Sequence, residues 1–374
     1  MTFWLTAGDL DALPLPPGDA GTGLTGPPLG VVQGGGPFIF DPFAAYHAGL
    51  TTNPNVVVTG SVGAGKSTLV KLLVAQAVRE GRRVVIGDPK GEYGALATAL
   101  GGQVLRLGDD EESSWDPFAT PTMAQFDLLV SLATTLRDDG LRDDEWQHLH
   151  RAWRAICDAP PPQPLAALVA ALGATSLGSL FARCVTGDVS SLWSPRHLST
   201  RDHSLVVLDL SRWWSGPRVA VAALVAMALA EELLVAHGGP GLLVLDEAWA
   251  LLANPWATQW VAGSWKLARA RGVSHVAVLH RASDVAASAD AGSAHAARAA
   301  GLLADCETTF CFRSSPADLP ALQQHFGLSD AECALVGDLP RGVMLARYGP
   351  HRSLVAVTPS VADYAFLDTD QALR

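Results

Sequence analysis

Nine consecutive residues, Gly60-Ser61-Val62-Gly63-Ala64-Gly65-Lys66-Ser67-Thr68, have the types and spacing to grip a polyphosphate. They fit the pattern G-x-x-x-x-G-K-[ST], in which a glycine-rich turn carries the chain from a buried strand into a helix. Gly60, Gly63 and Gly65 let the backbone curl so that its N–H groups and the helix N-terminus aim at phosphate oxygens. Lys66 would reach the β- and γ-phosphates, and Ser67 would ligate Mg²⁺. A glycine-rich turn without a ligand is the competing reading. The flanks argue against it, because an apolar run, Asn55 to Thr59, precedes the turn and an amphipathic run, Thr68 to Glu80, follows it.

A second stretch, LLVLDEAW from Leu242 to Trp249, has the apolar run of a fully buried strand and delivers two carboxylates at its C-terminal end. Open α/β sheets bind ligands at that end. Asp246 is placed to hold the Mg²⁺ water shell, and Glu247 to polarise the water that attacks a γ-phosphate. Acids decorating a helix N-terminus are the alternative. Further on, LARARG ends in Arg269, Arg271 and Gly272, then Val273 to Asp284 reads as a strand. Arg269 and Arg271 either close a helix favourably against its dipole, or one of them acts as an arginine finger across a subunit boundary. His280 ends a strand expected beside the one carrying Asp246 and Glu247, where a polar group can sense the γ-phosphate; elsewhere a lone histidine is ordinarily a satisfied core or surface group.

Positioning these groups requires an α/β fold. Apolar strand-like runs alternate with helical ones, at Arg83–Ile86, Val104–Leu107, Leu205–Asp209 and the helix Val219–Ala236, which predicts a mostly parallel sheet flanked by helices. With 374 residues and 49% apolar content the chain can bury a large core. The start lacks a basic, apolar leader pattern. Val219–Ala236 is alanine-rich and broken by Glu231 and Glu232, so it reads as a core helix rather than a membrane span. Cys157, Cys184, Cys306, Cys311 and Cys333 form no C-x-x-C pair, which points to reduced, cytosolic thiols. A net charge of −11 gives no basic footprint for nucleic acid, although a ring could enclose a local basic channel.

Four segments follow from this reading: a Pro/Gly-rich arm over 1–36 with little to pack, a first part of the sheet domain over 37–120, an all-helical insertion over 121–199, and a second part of the sheet domain over 200–374. Pro37–Phe40 reads as a short edge strand. In the insertion Trp146, Trp153 and Trp193 sit among apolar neighbours, which favours packing anchors over stacking platforms.

DPKGEY (Asp88 to Tyr93), the DEAW strand end and the Arg-x-Arg-Gly then strand arrangement together resemble the HerA–FtsK branch of P-loop ATPases. Within it the chain most resembles the TraC-type ATPases of the VirB operon kind. SSWDPF, LVVLDLS and the tail segments ETTFCFR, GLSDAE, RGVMLARYG and HRSLVAVTPS follow the same order, so the resemblance runs from about Pro37 to the C-terminus.

The resemblance implies a RecA-like P-loop NTPase that binds ATP with Mg²⁺ and hydrolyses it. It assigns the nucleotide phosphates and metal to Lys66, Ser67 and Thr68, and sets Asp88 and Glu92 in a second acidic motif near the phosphates. It further implies a cytoplasmic homo-hexamer, peripheral to the inner face of the membrane and docked on the membrane-channel components of a secretion or conjugation apparatus, moving DNA or a DNA–protein substrate. Two departures stand out. Histidine at position 280 replaces the glutamine usual there and is shorter and titratable, and a Pro/Gly-rich arm stands where the family carries a sizeable domain. A HerA/FtsK-type DNA-translocating motor and a nucleotide-binding assembly scaffold with little hydrolysis are the other readings. A conjugation coupling protein would ordinarily show transmembrane helices near its start.

Overall fold

Apolar runs of four to seven residues with no polar face can be satisfied only by strands covered on both sides. The computed structural model describes residues 22–108, 116–193, 203–213, 218–247, 258, 262–263, 265–267, 270–283, 301 and 306–367. In chain order its strands are β1 (Gly30–Val32), β2 (Pro37–Phe38), β3 (Val56–Thr59), β4 (Arg83–Asp88), β5 (Gln103–Arg106), β6 (Leu205–Asp209), β7 (Gly241–Leu245), β8 (Val273–Leu279), β9 (Thr308–Phe312), β10 (Val343–Tyr348) and β11 (His351–Val357). They form one sheet in the order β2-β1-β11-β10-β9-β3-β8-β7-β4-β6-β5. From β9 to β5 every pairing is parallel, while β2, β1, β11 and β10 add an antiparallel flank.

Alternation along each parallel strand divides the core into two layers. Val56, Val58, Val84, Ile86, Leu242, Val244, Val276 and Val278 face the helix Lys66–Arg79. Val57, Val85, Leu243, Leu245, Ala277 and Leu279 face the opposite layer, which contains the helix Val219–His237. That helix is long and apolar enough to cross a membrane by length and composition, yet most of it is buried inside the fold. It covers β4 and β7.

Helices Phe126–Arg137, Asp143–Asp158, Pro164–Leu172 and Ser176–Val185 join the same layer. A buried carboxylate ties three of them together. Glu145 accepts from Arg137 Nη1 at 2.9 Å, from Ser176 Oγ at 3.0 Å and from the Arg142 backbone N–H at 3.0 Å. These contacts hold the Glu145 carboxyl below its usual range although burial opposes them. Trp153 is fully buried and donates to the Thr122 carbonyl at 3.0 Å, as a packing anchor should. Trp146 differs from the sequence expectation: it is exposed, stacked on His150 and edge-on to Phe126, because its helix face points outward at that position.

The arm is also corrected. Leu24 and Leu29 are buried, and β1 pairs with both β2 and β11, so the described part of the Pro/Gly-rich stretch is built into the sheet edge. Composition hid this because one three-residue strand, Gly30–Val32, carries the pairing.

One buried titratable group in β8 has a measurable consequence. His275 lies against the Trp265 ring at 4.9 Å, its backbone N–H donates to Asn55 Oδ1 at 3.1 Å, and burial pushes its imidazole down from 6.5 to about 3. Between those values the unfolded chain binds the proton and the folded chain does not, so stability is complete above about pH 6.5 and is lost as pH falls toward about 3. The slope from one such proton is at most about 1.4 kcal/mol per pH unit. Urea unfolding between about pH 7 and pH 5 is expected to show a steeper loss for the wild type than for His275→Gln; equal slopes would contradict this account.

Candidate active site

Every group named for phosphate chemistry, apart from the two arginines, comes from the C-terminal end of a parallel strand, the turn after it or the first turn of the helix that follows. β8 lies between β3 and β7, with Thr59 opposite Leu279 on one side and Leu245 opposite Ala277 on the other. The phosphate loop therefore leaves one neighbour of β8, the acid pair leaves the other, and His280 emerges between them.

The loop is held from behind by the end of β9 and the turn that leads into β10. Gly60 has φ 144°, and a Cβ there would meet Phe312 Cβ at 2.7 Å. Gly65 has φ 118°, and a Cβ would come within 3.1 Å of Gly342 Cα. The backbone conformation strains any other residue at both positions, and at Gly60 the space excludes a Cβ as well. The Ser61 N–H donates to the Arg313 carbonyl at 2.8 Å, and the Gly342 N–H donates to the Ala64 carbonyl at 2.8 Å. Val62 stands exposed at the crown of the loop, Gly63 has φ 74°, and Ser67 and Thr68 occupy the first turn of the helix Lys66–Arg79. Nothing in the sequence marked Phe312, Arg313 or Gly342 as loop supports, since they come from distant segments.

Lys66 is buried and donates to the Ser61 carbonyl at 3.0 Å and to the Gly60 carbonyl. Its Nζ also lies 3.1 Å from His280 Nδ1. Burial lowers its pKa from 10.5 to about 8, against the opposing pull of Asp246 and Glu247.

Glu247 follows Asp246 with φ 54°, a left-handed conformation uncommon for a glutamate. Its N–H donates to Asp246 Oδ1 at 3.0 Å, and the Asp246 N–H donates to the Gly87 carbonyl at 3.2 Å. Glu247 Oε1 receives both Lys90 Nζ and His280 Nε2. Burial would raise the Glu247 carboxyl, but these two partners bring it down to about 2. Asp246 moves the other way, to about 6, through burial and the charges of Glu247, Asp88 and Glu92.

Neighbours also define the histidine tautomer. Glu247 can only accept and Lys66 can only donate, so Nε2–H points to Glu247 and the Nδ1 lone pair receives Lys66. Lys90, 3.1 Å from Nε2, consequently donates to Glu247 instead of to the ring. The expectation that His280 lies beside the acid strand is met, and the ring spans from Lys66 to Glu247.

Asp88 stands close enough to the acid pair for its charge to help raise Asp246, and its carboxylate anchors the turn that follows β4. It is buried, and its two oxygens accept from the N–H groups of Lys90 at 3.2 Å, Gly91 at 2.8 Å, Glu92 at 3.2 Å and Tyr93 at 3.0 Å. Four amides engage this carboxylate, so it shapes the turn and through it aims Lys90. Glu92 is half-buried, close enough for its charge to raise the pKa values of Lys66 and Asp246. Lys90 escaped the sequence reading because a lone lysine in an acidic motif looks like a solvated charge.

Arg271 is not in this site. It pairs with Glu231 at 2.8 Å and precedes β8, whose seven residues set it roughly 20 Å from the strand end that bears His280. Arg269 lies outside the described residues.

The residues fit a nucleotide-bound magnesium ion. Among the described residues no three His, Cys, Asp or Glu side chains gather to hold an ion by themselves. Mg²⁺ on a nucleotide needs only one or two protein ligands beside phosphates and waters. Asp246, raised by burial and by the negative charges around it, is a carboxylate that a cation would relieve, and Ser67 stands on the loop helix.

Residues 53–156 match the family described as Helicase HerA, central domain. Among solved structures, VirB4 of Thermoanaerobacter pseudethanolicus is similar with a TM-score of 0.78 and 22% identity, covering 91% of this chain and 98% of that one. The bacterial conjugative coupling protein TrwB, in a form described as unbound, is similar with a TM-score of 0.58 and 15% identity, covering 95% of this chain and 94% of that one. TrwB in complex with ADP and Mg²⁺ gives a TM-score of 0.60 at 15% identity, covering 95% and 93%. No curated protein sequence matches significantly. The expected RecA-like α/β fold is thereby met, and the resemblance read from the motifs agrees with both the HerA match and the VirB4-like fold.

Because Asp88 touches backbone amides, Asp88→Ala is expected to lower stability by about 2–4 kcal/mol, the loss of several charge-assisted hydrogen bonds in a buried turn. Urea denaturation measures it, and an unchanged midpoint would contradict the structural role.

Proposed function

We propose that this chain is an Mg²⁺-dependent ATPase motor that energises a type IV secretion or conjugative transfer machine. The observation that carries the reading is the convergence of Lys66, His280 and the Asp246–Glu247 pair at the ends of the adjacent strands β3, β8 and β7. The fold shared with VirB4 and TrwB supports the choice of machine.

In this reading the loop amides and Lys66 receive the β- and γ-phosphates. Mg²⁺, held through Ser67 and Asp246, would supply neutralising charge to the phosphate oxygens. Glu247 takes a proton from a water as its oxygen bonds to the γ-phosphorus. The bond from that phosphorus to the β–γ bridging oxygen breaks, leaving ADP and inorganic phosphate. His280, fixed by its tautomer between Lys66 and Glu247, reports movement of one to the other.

The same reading takes the motor as a cytoplasmic homo-hexamer at the inner face of the membrane, docked on channel components and moving DNA or a DNA–protein substrate. Sites between subunits give Arg271 a use that its distance from its own chain's site denies it. A HerA-type DNA-translocating motor is the second reading, favoured by the match over residues 53–156. Steeply salt-dependent binding of duplex DNA would select it, against the net charge of −11.

Steady-state hydrolysis tests the assignment. Glu247→Gln is expected to cut turnover by about 10²-fold or more while retaining ATP binding, and Lys66→Ala to lose both. Unchanged turnover in either variant would sink the catalytic roles. If Arg271 serves a neighbour's site, mixing inactive Lys66→Ala and Arg271→Ala chains restores part of the turnover, because some interfaces regain both groups. An Arg271→Ala protein with full activity would instead leave that arginine to its contact with Glu231.

A further inference from the structure

Two lysines converge on this site, and only Lys66 has a role in the reading above. We propose that Lys90 is the cation that couples the γ-phosphate to Glu247: it pairs with the carboxylate in the arrangement seen here and transfers to an arriving γ-phosphate, releasing Glu247 to accept a proton from water. This deepens the proposed ATPase function and rests on it.

Three observations carry the inference. The first is the sharing of one oxygen: Lys90 Nζ and His280 Nε2 both lie on Glu247 Oε1, so the carboxylate of the proposed base is engaged by two donors. A base tied in this way is a poor proton acceptor until a donor leaves. The second is the difference in freedom between the partners. The Lys90 side chain is 36% exposed and that of Glu247 only 2%, so the lysine is the partner that can move. Asp88 anchors the turn by accepting the N–H groups of residues 90 to 93, which confines the movement to the flexible lysine stem.

The third observation is the placement of the two ammonium groups. His280 has Lys66 3.1 Å from Nδ1 and Lys90 3.1 Å from Nε2, so the two cations flank a single imidazole. Held on opposite ring nitrogens of one imidazole, the two ammonium groups are close enough to repel, and Lys90 is offset by its pairing with Glu247. A γ-phosphate seated on Lys66 brings a multiply charged anion into this space, and it competes with a singly charged carboxylate for Lys90. ADP carries no such group and leaves the Lys90–Glu247 pair in place. Lys90 therefore acts on water through Glu247 and distinguishes a triphosphate from a diphosphate.

The test compares equilibrium binding of a non-hydrolysable ATP analogue and of ADP, both with Mg²⁺, to the full chain and to Lys90→Ala and Lys90→Arg. Lys90→Ala is expected to weaken the ATP analogue about tenfold while ADP affinity stays within about twofold, and Lys90→Arg to recover most of the difference. A parallel loss for both nucleotides would assign Lys90 a merely structural role and overturn the proposal, as would unchanged affinity for both. Failure of the underlying ATPase reading looks different: the wild type would then bind neither nucleotide, or would bind both without turning ATP over. If the wild type binds both, Lys66→Ala binds neither and Lys90→Ala keeps the wild-type ratio, only the role of Lys90 falls.

Discussion

The position of β8 is the constraint on which the rest of this structure depends. It separates the strand that feeds the phosphate loop from the strand that delivers the acids, so Lys66 and Glu247 communicate through whatever side chain ends β8. That side chain is His280, an amphoteric ring that accepts from one neighbour and donates to the other. Parallel register then does the remaining positioning, because strand ends that finish together present their turns to one space.

Charge is distributed in that space so that two adjacent carboxylates behave differently. Asp246 is buried beside other acids and is raised to about 6, which suits a group that a cation would relieve. Glu247, one residue later, turns through a left-handed backbone toward Lys90 and His280 and falls to about 2. Environments that push two carboxyl pKa values apart mark a division of labour between them. The backbone strain at Glu247 is the local cost of pointing successive side chains at different partners, and the Asp246 carboxylate offsets part of it by accepting the Glu247 N–H.

Local spacing made the phosphate loop, the acid pair and the strand order around His280 legible. Each rests on a short run whose chemistry and periodicity agree, as in Val56–Thr59 leading into Gly60 or Leu242–Leu245 leading into Asp246. What stayed hidden depends on residues brought together from afar. Phe312 and Gly342 back the loop from segments more than two hundred residues downstream of it. Asp88 looked like a phosphate-site acid, and only the path of the turn shows its oxygens engaged by four amides. The sheet edge in the arm was invisible because three residues supply its pairing while glycine and proline dominate the composition around them.

An experimental structure of the chain with a non-hydrolysable ATP analogue and Mg²⁺ tests the central claim most directly. The account predicts the γ-phosphate in contact with Lys66, with Ser67 and Asp246 holding the ion and with the Glu247 carboxylate facing the open side of the phosphorus. A nucleotide bound elsewhere, or Asp246 and Glu247 turned away from the phosphates, would contradict it.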